Sequence, residues 1–408
     1  MAAQPFVYLD HAATSWPKAP GVAEAMSKFL AEDAGNPGRG GHALAQAAQR
    51  VMDETRAGLA KLVNAESPDR IVLTYGCTDA LNLAIHGVVT WAHHHTNRPV
   101  GLVISSVEHN AVGRTADAHR CEGTADLRMA QCDDEGFVSP EAVLAQCDEH
   151  TVLVCMTHAS NVLGTIQPIS EVGAALRERF PDALFLVDAA QTTAVLPIDV
   201  RAMGIDLLAM GIHKGLRGPT GIGALYVGPR VFPDEGEPRL VCCRQGGTGA
   251  LSRDLTMPQR LPSALEAGTP NTVGMAGTRA ALRSVDFGSI EHERGFLARV
   301  RARFAGDPRV TFYGPAEAGR RTAVLAMNVH GHDPRELAAV LDSSFGIATR
   351  AGLLCSPLCH QSLGTYPDGV LRISVGPQST EADVDAFCGA LESVLSTTPA
   401  AARPVATS

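Results

Sequence analysis

Short apolar runs alternate with amphipathic stretches along most of this chain. IVLTY (71–75), GLVISSV (101–107), VLVCMTHAS (152–160), LFLVDAAQ (184–191), DLLAMGIH (206–213) and GIGALYV (221–227) are rich in Val, Ile and Leu. They show little in–out alternation, so they predict strands covered on both faces. Between them lie helical patterns. Over 42–63, Leu44, Ala48, Val51 and Met52 recur at helical spacing, followed by Leu59, Leu62 and Val63. Shorter helices are expected near 78–92, 139–148 and 170–179. Strands alternating with helices in this way specify an α/β domain around a mostly parallel sheet.

After about residue 275 the rhythm changes. One long helix is expected over 276–304, then strand-like VLAMNVHG, helix-like PRELAAVLDSSF, strand-like VLRISV and a final helix through TEADVDAFCGALESVLS. This predicts a smaller α+β domain over 276–397. The end is rich in Pro, Ala and Thr without apolar periodicity, so 398–408 is expected to be a disordered tail.

Composition narrows the class. A chain of 408 residues that is 45% hydrophobic and 19% charged can bury a large core. Its net charge of −9 argues against a nucleic-acid partner, which would call for excess Lys and Arg. No apolar run approaches a membrane span, and the start MAAQPFVYLD lacks the basic and apolar regions of an export signal. The ten cysteines include no CxxC pair, so neither zinc nor a disulfide framework is expected, and a reducing cytoplasm fits. His93, His94 and His95 could ligate a metal, but a solvated helix end beside Asn97 and Pro99 accounts for them better. No metal is expected.

Candidate chemistry gathers where the runs end. LFLVD closes on Asp188, with Gln191 beyond, and MGIHKG places His213 and Lys214 at a neighbouring strand end. A lysine in apolar surroundings can have a lowered pKa suited to Schiff-base chemistry, and an acid nearby could hold a pyridine nitrogen protonated. A buried Asp188–Lys214 ion pair joining two loops would use the same two residues. In TYGCTDALN, a strand stops at Gly76 and a helix begins, so the N–H groups of Cys77 and Thr78 could meet a phosphate, or merely start a helix. His109 and Asn161 follow two further strand ends, either as site residues or as loop residues. Taken together, these residues line up beyond successive strand ends, where ligands bind in such sheets.

As a set, these motifs resemble the class V aminotransferase family of fold-type I pyridoxal-phosphate enzymes, and within it the cysteine desulfurases and selenocysteine lyases. The resemblance runs from YLDHAAT to RISVGPQSTEADVD. It implies a pyridoxal-phosphate transferase fold with a large cofactor-binding domain over 18–275, entered by a segment 1–17 that lines the site. It also implies that Lys214 binds the cofactor covalently, that Asp188 meets its pyridine nitrogen and that His109 stacks on its ring. Asn161 and Gln191 would flank the ring oxygen, and Cys77, Thr78 and His213 would hold the phosphate. Thr248, in GGTG, would reach the partner subunit's cofactor phosphate, so a homodimer is implied.

The same resemblance assigns Cys355, in TRAGLLCSPLCHQSLGT, as the thiol that accepts sulfur, with Arg372 holding the substrate carboxylate and Arg350 on the substrate side. Ala13, Thr14, Arg39 and His42 are weaker substrate-side candidates. The implied reaction is pyridoxal-phosphate-dependent desulfuration of L-cysteine to L-alanine, leaving a persulfide on Cys355 for an acceptor protein. Alternatives are L-selenocysteine lyase activity, or a lyase or transaminase in which Cys355 is incidental. Three departures from the family stand out. Gly211 occupies a position that usually carries a phosphate-binding hydroxyl, Leu354 replaces a frequent His, and Cys359 is an extra thiol, either resolving or structural.

Overall fold

After a two-residue strand β1 (Val7–Tyr8), the apolar runs become β2 (Ile71–Thr74), β3 (Val100–Ser105), β4 (Ala125–Ala130), β5 (Thr151–Thr157), β6 (Leu184–Asp188), β7 (Leu207–Gly211) and β8 (Gly223–Val227) in the computed structural model. Residues 6–38, 41–249 and 253–397 are described. Strands β2 to β8 form one sheet in the order β2-β8-β7-β6-β5-β3-β4, in which only β8 runs against its neighbours. Six of these strands match the expected runs. The edge strand β4 was not expected, because Asp126 and Arg128 interrupt its apolar pattern and its middle is partly exposed.

Side chains of the central strands divide by parity. Leu184 and Leu186 of β6 face one apolar cluster, and Phe185 and Val187 face another; Leu153 and Cys155 against Val154 and Met156 of β5 do the same. This is why the runs lack alternation: both faces are covered. On one side lies α3 (Cys77–Thr96) with α4 (Asn110–Cys121). The other side carries α2 (Ala43–Leu62) and α6 (Ile169–Arg179). The helices α1 (Val22–Glu32), α5 (Pro140–Leu144) and α7 (Thr272–Leu282) complete this region.

The single helix expected over 276–304 is two helices, α7 and α8 (Ser289–Phe304). Asp286 breaks it, since its Oδ1 accepts the Gly288 N–H at 2.9 Å and its carbonyl accepts the Ser289 hydroxyl at 3.1 Å. Met275, Ala276 and Ala281 of α7 pack into the large core, whereas Phe296, Leu297 and Val300 of α8 join a third cluster. That cluster covers a second, antiparallel sheet of β9 (Val310–Tyr313), β10 (Val324–Val329), β12 (Arg350–Gly352) and β13 (Val370–Ser374), in the order β12-β13-β10-β9, with β11 (Ile347–Ala348) outside it. Helices α9 (Pro334–Phe345), α10 (Pro357–Ser362) and α11 (Glu381–Thr397) lie in the same part of the chain.

The first residues cross back to this second region. Strand β1 pairs in parallel with β11, and the Ser374 N–H donates to the Leu9 carbonyl at 2.8 Å. A few residues later the Ser15 N–H donates to the His213 carbonyl at 3.0 Å. The N-terminal segment therefore bridges the small sheet and the end of β7. The expected tail, 398–408, lies outside the described residues.

Candidate active site

The carboxyl ends of β2, β3, β5, β6 and β7 open onto one cavity of about 780 Å³, within the usual range for a cofactor or small-ligand site. Asp188 ends β6 and is buried, with Oδ1 accepting from the Ala190 N–H at 2.8 Å and the Cys77 thiol at 3.4 Å. Lys214 lines the same cavity, yet among the described residues no ion pair joins it to Asp188. The simple ion-pair reading of these two residues therefore does not describe the geometry. Burial pushes the Lys214 amine below the usual lysine range, against the opposing pull of Asp188 and Cys77. A buried carboxylate without a cation is costly, and one facing a cavity suits a ligand that carries positive charge.

The phosphate end is built from a helix start. Gly76 caps α3 without any side-chain bond, at φ 157°, leaving the first-turn N–H groups of a 20-residue helix directed at the cavity. Thr78 and Cys77 both line it. The Cys77 thiol turns to Asp188 instead, a contact between residues 111 positions apart that no local motif signals, and burial holds it well above the usual thiol range. His213 also lines the cavity; its Nδ1 lies 3.0 Å from Thr14 Oγ1, and burial with Lys214 and Lys18 nearby brings its pKa down to about 4. Gly211 adds no hydroxyl, but a Cβ there would meet Ala190 only at 3.5–3.7 Å.

Two imidazole and amide groups flank the middle. His109 caps α4, its Nδ1 accepting the Ala111 N–H at 3.0 Å, which leaves the ring proton to Nε2, and burial lowers its pKa. Gln191 donates to the Ala12 carbonyl at 3.1 Å, and Ala13 lines the cavity beside it. These donors, the buried acid and the lysine are of the kinds that could hold pyridoxal phosphate: Asp188 would face the ring nitrogen, Lys214 the aldehyde and the α3 start the phosphate. Beneath them lies Glu108, whose Oε1 accepts the Thr157 N–H at 2.7 Å and the Ser105 hydroxyl. Burial pushes its pKa up to about 8. Sequence reasoning passed over Glu108; the signal was a carboxylate inside an apolar run.

The thiol loop joins this rim through side chains. Asn161 Nδ2 donates to the Leu354 carbonyl at 2.7 Å, and its Oδ1 accepts the Ser356 hydroxyl at 2.7 Å. The Asn110 N–H, next to His109, donates to the Cys355 carbonyl at 2.7 Å. Cys355 is exposed, whereas Cys359 is fully buried in α10 with its thiol pushed up to about 12 by burial. The geometry thus favours the structural reading of Cys359 over the resolving one. Leu354 packs into the large core, and His360 is buried with its pKa brought down to about 4.

Arg372 is buried, with Nη2 on Asp10 Oδ1 at 2.6 Å and Nη1 on the Asn161 carbonyl at 2.8 Å. Arg350 lies 3.9 Å from the other Asp10 oxygen and is half exposed. Asp10 was not anticipated, although it stands in the YLDHAAT motif. A substrate carboxylate would compete with it for Arg372.

Two expected residues, Thr248 and His42, lie elsewhere. Thr248 lines a neighbouring cleft that meets the cavity at Tyr75 and Ile222. His42 caps α2, accepting the Ala45 N–H at 3.3 Å. Arg39 lies outside the described residues. The His93–His95 trio ends α3, and among the described residues no group of three or more metal-ligating side chains occurs. Nor is any described helix long and apolar enough to cross a membrane.

Comparison with known proteins agrees with this construction. The chain is 30% identical over 393 residues to a probable cysteine desulfurase of Methanothermobacter thermautotrophicus, covering 95% of this chain and 94% of that one. It is 31% identical over 396 residues to a cysteine desulfurase of Cronobacter sakazakii, covering 95% and 93%. The apo structure of a cysteine desulfurase from Thermococcus onnurineus superposes with a TM-score of 0.86 at 28% identity, covering 96% and 95%. The sequence profile described as aminotransferase class-V matches residues 7–387, and with the strand-end cavity in hand the conclusion is direct: the chain belongs to the aminotransferase class-V family.

Proposed function

We propose that this protein is a pyridoxal-phosphate-dependent cysteine desulfurase that converts L-cysteine to L-alanine and carries the sulfur as a persulfide on Cys355. The observation that carries the reading is the linkage of two regions: the exposed thiol's loop is hydrogen-bonded to Asn161, which lines the Lys214 cavity, and to Asn110, next to His109. A thiol on that loop would meet the side chain of a substrate held at Lys214.

Bound pyridoxal phosphate supplies a sink for the electrons released at the substrate Cα. The chain supplies the rest. Arg350 and Arg372 draw in the substrate carboxylate, at the expense of Asp10. The Lys214 amine, its pKa lowered by burial, is suited to take the proton from Cα. The Cys355 sulfur, giving up its proton, then bonds to the substrate sulfur as the Cβ–S bond breaks; Cβ takes up one proton and Lys214 returns the other to Cα. The balance is L-cysteine plus a thiol giving L-alanine plus a persulfide, with no outside oxidant. An acceptor thiol or reductant afterwards removes the sulfur.

The active form is proposed to be a homodimer, with Thr248 reaching toward the partner's cofactor phosphate from the adjoining cleft. Ten free cysteines suit a reducing compartment, and the cytoplasm is the proposed location. The test is joint measurement of alanine and persulfide from L-cysteine by the reconstituted protein, with its mass by light scattering. Alanine without a persulfide on Cys355 would refute the assigned route, and a fully active monomer would refute the shared site.

A further inference from the structure

We propose that Asn161 is a positioning residue for Cys355: its side-chain amide grips the thiol-bearing loop on both sides and holds it in the conformation from which sulfur is attacked. This rests on the desulfurase reading of the site and adds to it what keeps the nucleophile in place.

The loop is unusual in its backbone. Leu354 and Cys355 have φ of 50° and 62°, two consecutive left-handed residues, neither of them glycine. A bulky leucine adopts this region rarely, and such a conformation persists only where its surroundings over-determine it. Here the determinants can be named. Leu354 O and Ser356 Oγ, on either side of Cys355, both bond the one Asn161 amide at 2.7 Å. Because Leu354 O can only accept, it fixes which end of the amide faces it, and Oδ1 is then left to receive the Ser356 hydroxyl. Ser356 is fully buried and Asn161 nearly so, so water does not readily replace either bond. Cys355 itself stays exposed between two anchored neighbours.

Asn161 is also where the other parts of the site converge. Its backbone carbonyl accepts from Arg372, and its side chain lines the cavity with Lys214. One Nδ2 hydrogen is committed to Leu354 and the second is left for the cavity, so gripping the loop and donating to a ligand are compatible. A residue near the end of β5 thus sets the thiol's place relative to both carboxylate-binding guanidinium and lysine.

Ser356→Ala removes one half of the grip without touching the cavity, and Asn161→Asp removes the donor half while keeping size and shape. In the holoenzyme, amide hydrogen exchange across 353–357, read by mass spectrometry, should quicken about tenfold or more in both variants. For Ser356→Ala, kcat with L-cysteine should fall about tenfold or more, while KM and L-selenocysteine turnover stay within about threefold, since selenium elimination needs no attacking thiol. Unchanged exchange in both variants would overturn the proposal, as would an opened loop with undiminished L-cysteine turnover or an equal loss with both substrates. A wild-type protein inert toward L-cysteine, with the loop nevertheless opened in both variants, would refute the desulfurase reading and leave the grip standing.

Discussion

The strand-end rim and the thiol loop are joined at Asn161, but different physics holds each in place. The rim is regular. Asp188, Lys214, His109 and the start of α3 take their places from ladder geometry, because strands in register bring their ends to one edge. The loop is irregular, with two left-handed residues kept by side-chain bonds from a residue more than 190 positions earlier. A scaffold of strands suits a group that must be bound and oriented. A local conformation held by a few bonds suits a nucleophile that must reach out and later hand on its cargo. The two thiols of the loop region make the contrast sharper: Cys355 is exposed, and Cys359, four residues on, is fully buried and held protonated.

The largest effect is expected from breaking the rim. Lys214→Ala should lower L-cysteine turnover about 10³-fold or more and abolish the visible absorbance of protein reconstituted with pyridoxal phosphate. A variant still coloured in the same way would place the covalent contact elsewhere. Next comes the loop. Cys355→Ala should lose about 10²-fold or more of that turnover with the absorbance retained, while Cys359→Ala stays within about threefold. Equal losses in the two variants would erase the distinction between them.

A third test probes what burial costs the rim. Glu108 has its pKa raised by burial to about 8, above its unfolded value, so it contributes stability at low pH that is lost as pH rises through that range. Glu108→Gln keeps the acceptor for Ser105 and Thr157 and carries no charge at any pH. Relative to wild type it should gain on the order of 1–3 kcal/mol between pH 5 and pH 9, measured by denaturant unfolding. Parallel pH profiles would show that Glu108 does not titrate in this range. The smallest effect concerns Gly211. Since a Cβ there meets only ordinary contacts, Gly211→Ser should tighten pyridoxal phosphate binding about two- to tenfold in a titration of the apo protein. Unchanged affinity would mean that the loop does not face the phosphate.

The strands and the rim were legible in the sequence, but their ends were not. The expected strands overran by two or three residues at β3, β5, β6 and β7. Val107, Ala159, Ala189 and Ile212, just past those ends, are buried, so the apolar pattern continues into loops that are themselves interior. The overrun therefore fell on the segments that carry the site. Helix α4 escaped notice because its buried face is made of Ala111, Val112, Thr115 and Ala116, too small to form a strong apolar stripe.

What the sequence by itself determined is whatever depends on local pattern: a doubly covered parallel sheet, residues of the right chemistry after successive strands, and a thiol in a loop of Arg, Gly, Ser and Pro. What only the tertiary structure decided depends on distance between segments far apart in the chain. It brought Asp188 and Lys214 to one cavity with no ion pair between them, set the Cys77 thiol against Asp188, paired Arg372 with Asp10 some 360 residues away, and anchored Cys355 through Asn161. Hydrophobic periodicity encodes which face of an element is buried. It carries no information about which polar side chains meet once those faces have packed, because each such bond is fixed by a few ångströms of three-dimensional placement.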